Sequence, residues 1–478
     1  MNRKILRHTI GIVLIFEAAC LCLPLVCALL YRESEWKIFA ACIAVCGIIG
    51  AVMRGRAPQN RAIYSRDGFT IVALSWITIS IFGAIPFMLT GACGNFFDAF
   101  FEAASGFTTT GASILPNVDI LPKSLLFWRS FTHWVGGMGV LVLLIAVFPL
   151  SGGSNLFLVK AESTGPAVGK LVPRVRSTAK ILYQLYIGLT VAEIIFLLFG
   201  GLNLFESLTV SFGTAGTGGF SITNGGMAIY SPYVQIVVTV FMILFGIDFS
   251  VFYLLLIGKI RLAFRSEEVR TYLGLIVVAI AVIAFNCRGI YGSFVGALRD
   301  SAFQVAAIIT TTGYSTADFN MWPELSKTIL VLLMFVGACA GSTGGGMKVS
   351  RILILLKSIK KESKIAAHPK TVHKIKMSGR MVEHETVRAV NVYLVAYFAI
   401  FAASLLIISL DNFDFTTNFT AVASAINNIG PGLAKVGPVE NFSLFSPLST
   451  FVLTLDMLVG RLEVFPMLVL LSPYTWKK

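Results

Sequence analysis

Residues 97–113 read FDAFFEAASGFTTTGAS, an apolar stretch with an acid near its start that runs into Thr108-Thr109-Thr110-Gly111. Comparable stretches recur at 205–221 (FESLTVSFGTAGTGGFS) and 299–315 (RDSAFQVAAIITTTGYS), with a weaker one at 416–432 (TTNFTAVASAINNIGPG). Each is too short to cross a hydrocarbon layer, which takes about 20 apolar residues. Each also lies between two segments long enough to do so. Asp98 and Gly111, Glu206 and Gly219, and Asp300 and Gly313 are each 13 residues apart, and Thr417 stands in the same relation to Gly430. Acids and hydroxyls suit the first turn of a helix, where free N–H groups and the helix dipole favour them. The spacing therefore predicts four short helices in one register, each ending in a glycine-bearing turn. It also selects Gly219 over the adjacent Gly218 and aligns Ser113, Ser221 and Ser315.

Composition sets the environment. The 478-residue chain is 56% hydrophobic and 13% charged, with a mean hydropathy of +0.82. Soluble cores do not need so much apolar surface, so the fold class expected is an all-α polytopic membrane protein. The net charge of +14 could suggest nucleic acid. However, Lys and Arg cluster in short segments between apolar runs, as membrane orientation requires, so no nucleic-acid partner is expected. The eight cysteines form no CxxC or Cys/His pattern and read as small core hydrophobes. No A-x-A cleavage site follows the first apolar run, which reads as a retained helix.

The spans expected in order are 9–30, 37–53, 69–91, 125–148, 180–202, 232–257, 272–287, the run 328–356, 388–410 and 447–471. A leading hairpin (1–67) thus precedes four span–short helix–span units at 68–170, 171–265, 266–375 and 376–478. Basic linkers follow the hairpin (Arg54, Arg56, Arg61, Arg66) and the first unit (Lys160, Lys170, Arg174, Arg176). KIRLAFRSEEVR follows the second unit, and KSIKKESKIAAHPKTVHKIKMSGR the third. If the short helices enter and leave on one side, all four linkers face the cytoplasm. If they crossed fully, the linkers would alternate sides and the basic bias would fail. Ten spanning helices and four re-entrant segments follow, arranged pseudo-fourfold about one pore.

Non-helical backbone at membrane depth survives only where protein or a watery cavity covers it. A Thr-rich, Gly-ended turn suits such a place. Its carbonyls can replace a cation's hydration shell, glycine permits positive φ, and the short helix points its negative end at the path. No ring of acids is needed, which suits a monovalent cation.

SGFTTTGAS, TGGFS, TTTGYST and NNIGPGL, together with GACAGSTGGG, resemble the Trk/Ktr/HKT potassium transporter superfamily, closest to its bacterial TrkH type. The resemblance covers essentially the whole chain. It implies potassium uptake in the bacterial inner membrane by a homodimer working with a cytosolic TrkA-type nucleotide-binding ring. The transported potassium would be held at Thr109, Thr110, Gly111 and Ala112, at Gly218, Gly219 and Phe220, at Thr311, Thr312, Gly313 and Tyr314, and at Asn428, Ile429, Gly430 and Pro431. The closest ligands would come from Thr109, Thr110, Thr311, Thr312, Asn428 and Ile429. The second and fourth segments depart from TTTG, so a less regular filter is expected. In the plant branch Ser in the first filter accompanies sodium preference, and the matching Gly111 favours potassium.

The run 328–356 is interrupted by Gly337-Ala338-Cys339-Ala340-Gly341-Ser342-Thr343-Gly344-Gly345-Gly346. Each Gly costs about 1 kcal/mol relative to Ala in a helix, so a break is expected here. It reads either as close helix packing or, as the resemblance implies, as an intramembrane gate anchored by Lys348 and Arg351. Arg461 lies deep in the last span, where a charge needs a partner or water. It reads either as a buried pair with Asp456 or Glu463 or, again by resemblance, as a barrier coupled to that loop. Asp248 could partner a cation, while Arg129 and His133 read as structural. The basic 357–388 segment suits anionic lipid or the regulatory ring. No HExxH, GxSxG, P-loop or paired catalytic carboxylates occur, so neither an enzyme nor a nucleotide site on this chain is expected. A proton- or sodium-coupled secondary transporter is the alternative reading.

Overall fold

The computed structural model describes residues 2–56, 64–139, 175–371 and 373–476. The end of the expected 125–148 span, Lys160, Lys170, Arg174, Arg61 and the boundary between the first two expected units lie outside the described residues, as does the Arg176 side chain.

Leu-, Ile-, Ala- and Phe-rich runs fold as helices because backbone groups in lipid must pair within their own segment. Helix α1 (Arg3–Leu30) and α2 (Trp36–Arg54) form the leading hairpin. Their backbones meet at small residues: a Cβ added at Gly11 would stand 2.7 Å from Gly50 O. Then come α3 (Ser65–Gly83), α4 (Ile85–Leu89), the short α5 (Phe96–Phe107), α6 (Lys123–Gly137), α7 (Val175–Phe199) and the short α8 (Leu204–Gly216). They are followed by α9 (Pro232–Phe245), α10 (Phe249–Leu256), α11 (Glu267–Asn286), the short α12 (Phe294–Ile309), α13 (Glu324–Val336) and α14 (Val349–Ala367). Last are α15 (His384–Ile408), the short α16 (Phe415–Asn427), α17 (Pro447–Arg461) and α18 (Phe465–Leu471).

Six described stretches are long and apolar enough to cross a membrane: 3–30, 36–54, 65–89, 179–199, 267–286 and 384–411. Of the other expected spans, 125–148 runs beyond the described residues, and 232–257 and 447–471 need correction. The run 232–257 bends by 92° between α9 and α10. There Gly246 ends one helix and Asp248 starts the next, accepting from Ser250 N at 2.9 Å. The run 447–471 breaks after Arg461, where Glu463 (φ 56°) and Val464 (φ 69°) turn left-handed and Pro466 prevents continuation. The run 328–356 breaks where its glycines predict. Helix α13 ends at Val336, and Gly337, Gly341, Gly346 and Lys348 all take positive φ before α14 begins.

The described residues are mostly helical, as expected, with one short β-hairpin. Lys376–Met377 pairs antiparallel with Arg380–Met381 across a Ser378-Gly379 turn in which both residues have positive φ, the geometry of a tight hairpin. This hairpin docks on the start of α11, where Ser378 N donates to Glu267 Oε2 at 3.1 Å.

Three of the four short helices begin in the expected register. Asn95, Asn203 and Asp414 cap α5, α8 and α16 by accepting from the amides of Asp98, Glu206 and Thr417 at 2.9–3.0 Å. Asp300 departs from it. Helix α12 starts about one turn earlier than that register, capped by Ser293, so Asp300 sits within the helix beside Arg299 and Thr316. An upstream capping serine (Ser293) outweighed the acid as a start signal.

Candidate ion pathway

Each short helix ends in the same backbone figure. Thr109, Thr217, Thr311 and Asn428 are left-handed (φ 55–58°), and the glycine two residues on is too: Gly111 (78°), Gly219 (76°), Gly313 (76°) and Gly430 (104°). The residue between them returns its N–H to the carbonyl five residues back at 2.8–3.0 Å: Thr110 to Ser105, Gly218 to Gly213, Thr312 to Ala307 and Ile429 to Ser424. The turn therefore releases the next carbonyls from helical pairing while keeping the amides satisfied. This figure is shared by the second and fourth segments, whose sequences depart from TTTG.

The four turns meet end to end. A Cβ added at Gly111 would overlap Gly218 O, one at Gly219 would overlap Thr312 O, and one at Gly313 would overlap Ile429 O. One at Gly430 would stand 2.9 Å from Thr110 O. The four carbonyls occupy equivalent positions, each one residue before its glycine, and the contacts form a closed ring. On one side the ring opens into a cavity of about 260 Å³, lined by Gly111, Gly219, Gly313 and Gly430 with Phe220, Tyr314 and Pro431.

The side chains divide. The Thr110 hydroxyl bonds Thr108 Oγ1 (2.8 Å) and Asn428 Nδ2 (2.9 Å), and that of Thr312 bonds Thr310 Oγ1 (2.8 Å). These two residues therefore offer carbonyls to the ring rather than hydroxyls. Thr109 Oγ1 and Asn428 Oδ1 are buried with no hydrogen-bond partner among the described residues. Such atoms are costly to leave in a dry site and suited to a cation. Ala112 O and Gly430 O accept from the hydroxyls of Ser105 and Ser424, each at 2.6 Å, and Tyr314 Oη donates to Val210 O at 3.2 Å.

The Gly-rich loop 337–348 lies against the helix ends. Gly345 N donates to Thr311 Oγ1 at 2.6 Å, and Gly346 N to Asn427 O at 3.1 Å. A Cβ on Gly344 would stand 2.9 Å from Thr310 O, so close approach requires glycine there. The Thr343 hydroxyl donates to Phe245 O (3.2 Å) and that of Ser342 to Cys339 O (2.6 Å). Glu268 holds both loop ends, accepting from Ala340 N (2.7 Å) and Ser350 N (3.1 Å). Phe249 N donates to Gly341 O at 3.1 Å, which places Asp248 beside the loop. Buried Lys348 Nζ donates to Gly344 O. Arg461 donates to Thr343 O (3.0 Å), Gly137 O (2.6 Å) and Gly136 O. Asp456 instead takes the Ser404 hydroxyl at 2.7 Å, and Glu463 pairs with Arg351. Among the described residues no cluster of His, Cys, Asp or Glu suits a resident metal.

The profile of TrkH, described as a cation transport protein, matches residues 35–285 and 293–477. The chain belongs to the TrkH family. It is 35% identical over 485 residues, the whole of both chains, to the Trk system potassium uptake protein TrkH of Salmonella typhimurium. It is 30% identical over 484 residues to the TrkG protein of Escherichia coli, covering 99% of each. The crystal structure of the potassium transporter TrkH from Vibrio parahaemolyticus matches the fold with a TM-score of 0.89 at 32% identity, over 100% of both chains. Membership of the TrkH family does not rest on the glycine-bearing turns alone, since the match extends through the leading hairpin and the broken spans.

Two further ionisable residues lie against these turns and the loop. His133 bridges Gly106 O (2.7 Å) and Phe220 N (3.2 Å). Glu268, beside the basic linker, reaches the Gly-rich loop through Ala340 N and Ser350 N. Their signal was available, because ionisable groups at membrane depth are functional candidates by default.

Proposed function

We propose that this chain carries potassium into the cell as a multi-pass protein of the bacterial inner membrane, through a selective pore whose filter is the ring of Thr110, Gly218, Thr312 and Ile429 carbonyls. That closed ring is the observation that carries the reading. Equivalent carbonyls from four short helices, free of helical bonds and backed by helix C-terminal ends, replace the water of a monovalent cation without any net charge. Gly111, Gly219, Gly313 and Gly430 let the turns approach one another, and Thr109, Thr311 and Asn428 lie at the inner end.

The pseudo-fourfold repeat, with units at 68–170, 171–265, 266–375 and 376–478 after the hairpin 1–67, is part of this proposal. The loop 337–348 is the gate, and Arg461, bonded to it at Thr343 O, holds it across the path as a positive barrier. A homodimer and a cytosolic nucleotide-binding ring of the TrkA type complete the proposal, the ring docking on the basic 357–388 segment. The family is one of cation transport proteins, and no catalytic role is assigned. Rubidium tracer uptake into potassium-starved cells lacking their own uptake systems tests the function. Uptake well above that of empty-vector cells is expected, and none would reject it.

A further inference from the structure

The second filter segment is the one least able to hold its own shape. The first and third are stitched by hydroxyls, Thr108 to Thr110 and Thr310 to Thr312, both at 2.8 Å. The fourth is held by Asn428 Nδ2, which donates to Thr110 Oγ1 and Met457 O, both at 2.9 Å. The second presents Thr217-Gly218-Gly219, and its only hydroxyl turns to the neighbouring Gly216 O at 2.6 Å. Two consecutive glycines have no side chain to anchor and the widest conformational freedom.

The missing support comes from α6. Arg129, 2% exposed, donates one guanidinium N–H to Ser221 O at 2.8 Å and another to Ser113 Oγ at 3.0 Å. Its Cζ lies over the Phe220 ring, 3.8 Å from the ring centre. Its Nε pairs with Glu102, which is fully buried on α5, at 2.6 Å. Glu102 also accepts from Ile114 N at 2.9 Å and from the Ser113 hydroxyl at 3.2 Å. One charged node thus clamps the outer ends of the first two segments together. Gln304 holds the position of Glu102 in the third segment, nine residues before the filter glycine. With its amide turned to suit its neighbours, its oxygen accepts from Thr316 N at 2.9 Å and from the Ser315 hydroxyl at 3.3 Å. The third segment therefore has a neutral brace, and Val210 and Ala421 at the same position of the other two offer none.

Arg129 also lines the cavity beside the ring. A guanidinium at the entrance of a cation path would repel the cargo unless a nearby charge cancels it. Resting on the proposed filter, we propose that Arg129 is a positioning residue for cation selection. It fixes Phe220 and Ser221, and Glu102 is the counter-charge that makes a guanidinium tolerable there. Lysine cannot replace it fully, because an ammonium lacks the planar fork that reaches three partners and stacks on a ring.

The test uses the full chain reconstituted in planar bilayers, with cation flux at low and high ionic strength and bi-ionic reversal potentials for potassium against sodium. Glu102→Gln is expected to lower cation flux about tenfold at low ionic strength and less at high, since salt screens the unbalanced charge. The double variant Glu102→Gln with Arg129→Gln is expected to restore flux but to lower the potassium-to-sodium permeability ratio about tenfold, the equivalent of about 1.4 kcal/mol. Arg129→Lys should keep flux and lower the ratio. A purely structural role would reduce protein yield or total flux and leave the ratio unmoved. An unchanged ratio in both charge-balanced variants overturns the proposal, as does failure of the double variant to recover flux. Should Arg129→Lys not fold, the double variant carries the ratio comparison. If the parent protein itself fails to discriminate potassium from sodium, the filter reading fails, not the brace.

Discussion

Gly111 shows what a single residue contributes. Its φ of 78° is open to glycine at no steric cost, and an added Cβ would overlap Gly218 O in the next segment. Gly111→Ser therefore displaces a ring carbonyl as well as straining its own turn. We expect the potassium-to-sodium permeability ratio to fall at least about tenfold, which corresponds to about 1.4 kcal/mol of lost discrimination. Bi-ionic reversal potentials measure it, and an unaltered ratio would remove Gly111 from the filter. Gly313→Ser should behave alike, because its Cβ would meet Ile429 O. At this scale the sequence was informative where glycine and threonine recur in register. It was silent on which atoms face the path. The spacing treats the threonines of TTTG alike, yet Thr110 and Thr312 turn their hydroxyls into packing while that of Thr109 has no partner among the described residues.

At the scale of elements, α16 and the Gly-rich loop make opposite demands. Asp414 caps α16, accepting from Thr417 Oγ1 at 2.5 Å and Thr417 N at 2.9 Å. The Thr417 hydroxyl bond is the main reason its carboxyl is held below the usual value, against a small opposing effect of burial. A carboxyl depressed in the folded state stabilises it fully above the unfolded value, and that contribution is lost as pH falls through the lower folded value. Asp414→Ala should cost about 1 kcal/mol near neutral pH. The difference from the parent should shrink in strong acid, as thermal unfolding in detergent across an acid series would show. A difference independent of pH would mean the cap acts through shape alone. The loop is different in kind, a segment without helical bonds that borrows partners from its neighbours. Thr311→Val removes the acceptor of Gly345 N, leaving a buried amide unpaired at about 1–3 kcal/mol. Basal rubidium leak through proteoliposomes should rise. Leak equal to that of the parent would show that this bond does not hold the gate.

For the whole molecule the distinction is between a pore and a coupled carrier. A ring of carbonyls with a displaceable loop needs no second ion. Reconstituted protein should give reversal potentials that follow the potassium gradient alone, with no displacement when pH or sodium is varied. A pH-dependent displacement would instead favour proton coupling. The orientation expected from the basic linkers has its own check. Cysteines placed near Lys360 and near Gly94 should react with a membrane-impermeant reagent from opposite faces, and labelling from the same face would overturn the topology.

Composition determined that this chain lives in a membrane, and glycine register determined that four short helices end in like turns. Both properties are local, fixed by hydropathy and by the φ that only certain residues adopt. Local signals also located the break at 337–348, where glycines accumulate. The bend at 246–248 and the break after Arg461 were harder to read, because Gly246, Asp248 and Pro466 are isolated signals within apolar runs and packing against other elements decides whether they take effect. Asp300 illustrates the same limit at a helix start. The tertiary structure alone decided how Thr110, Gly218, Thr312 and Ile429 come to face one another. Their carbonyls are identical in every residue, so no side-chain pattern distinguishes one that lines a path from one that does not. It also decided which groups meet the buried guanidiniums, Glu102 and Ser221 at Arg129 and the backbone of Thr343 and Gly137 at Arg461, since the worth of a buried charge depends on what stands within a few ångströms of it.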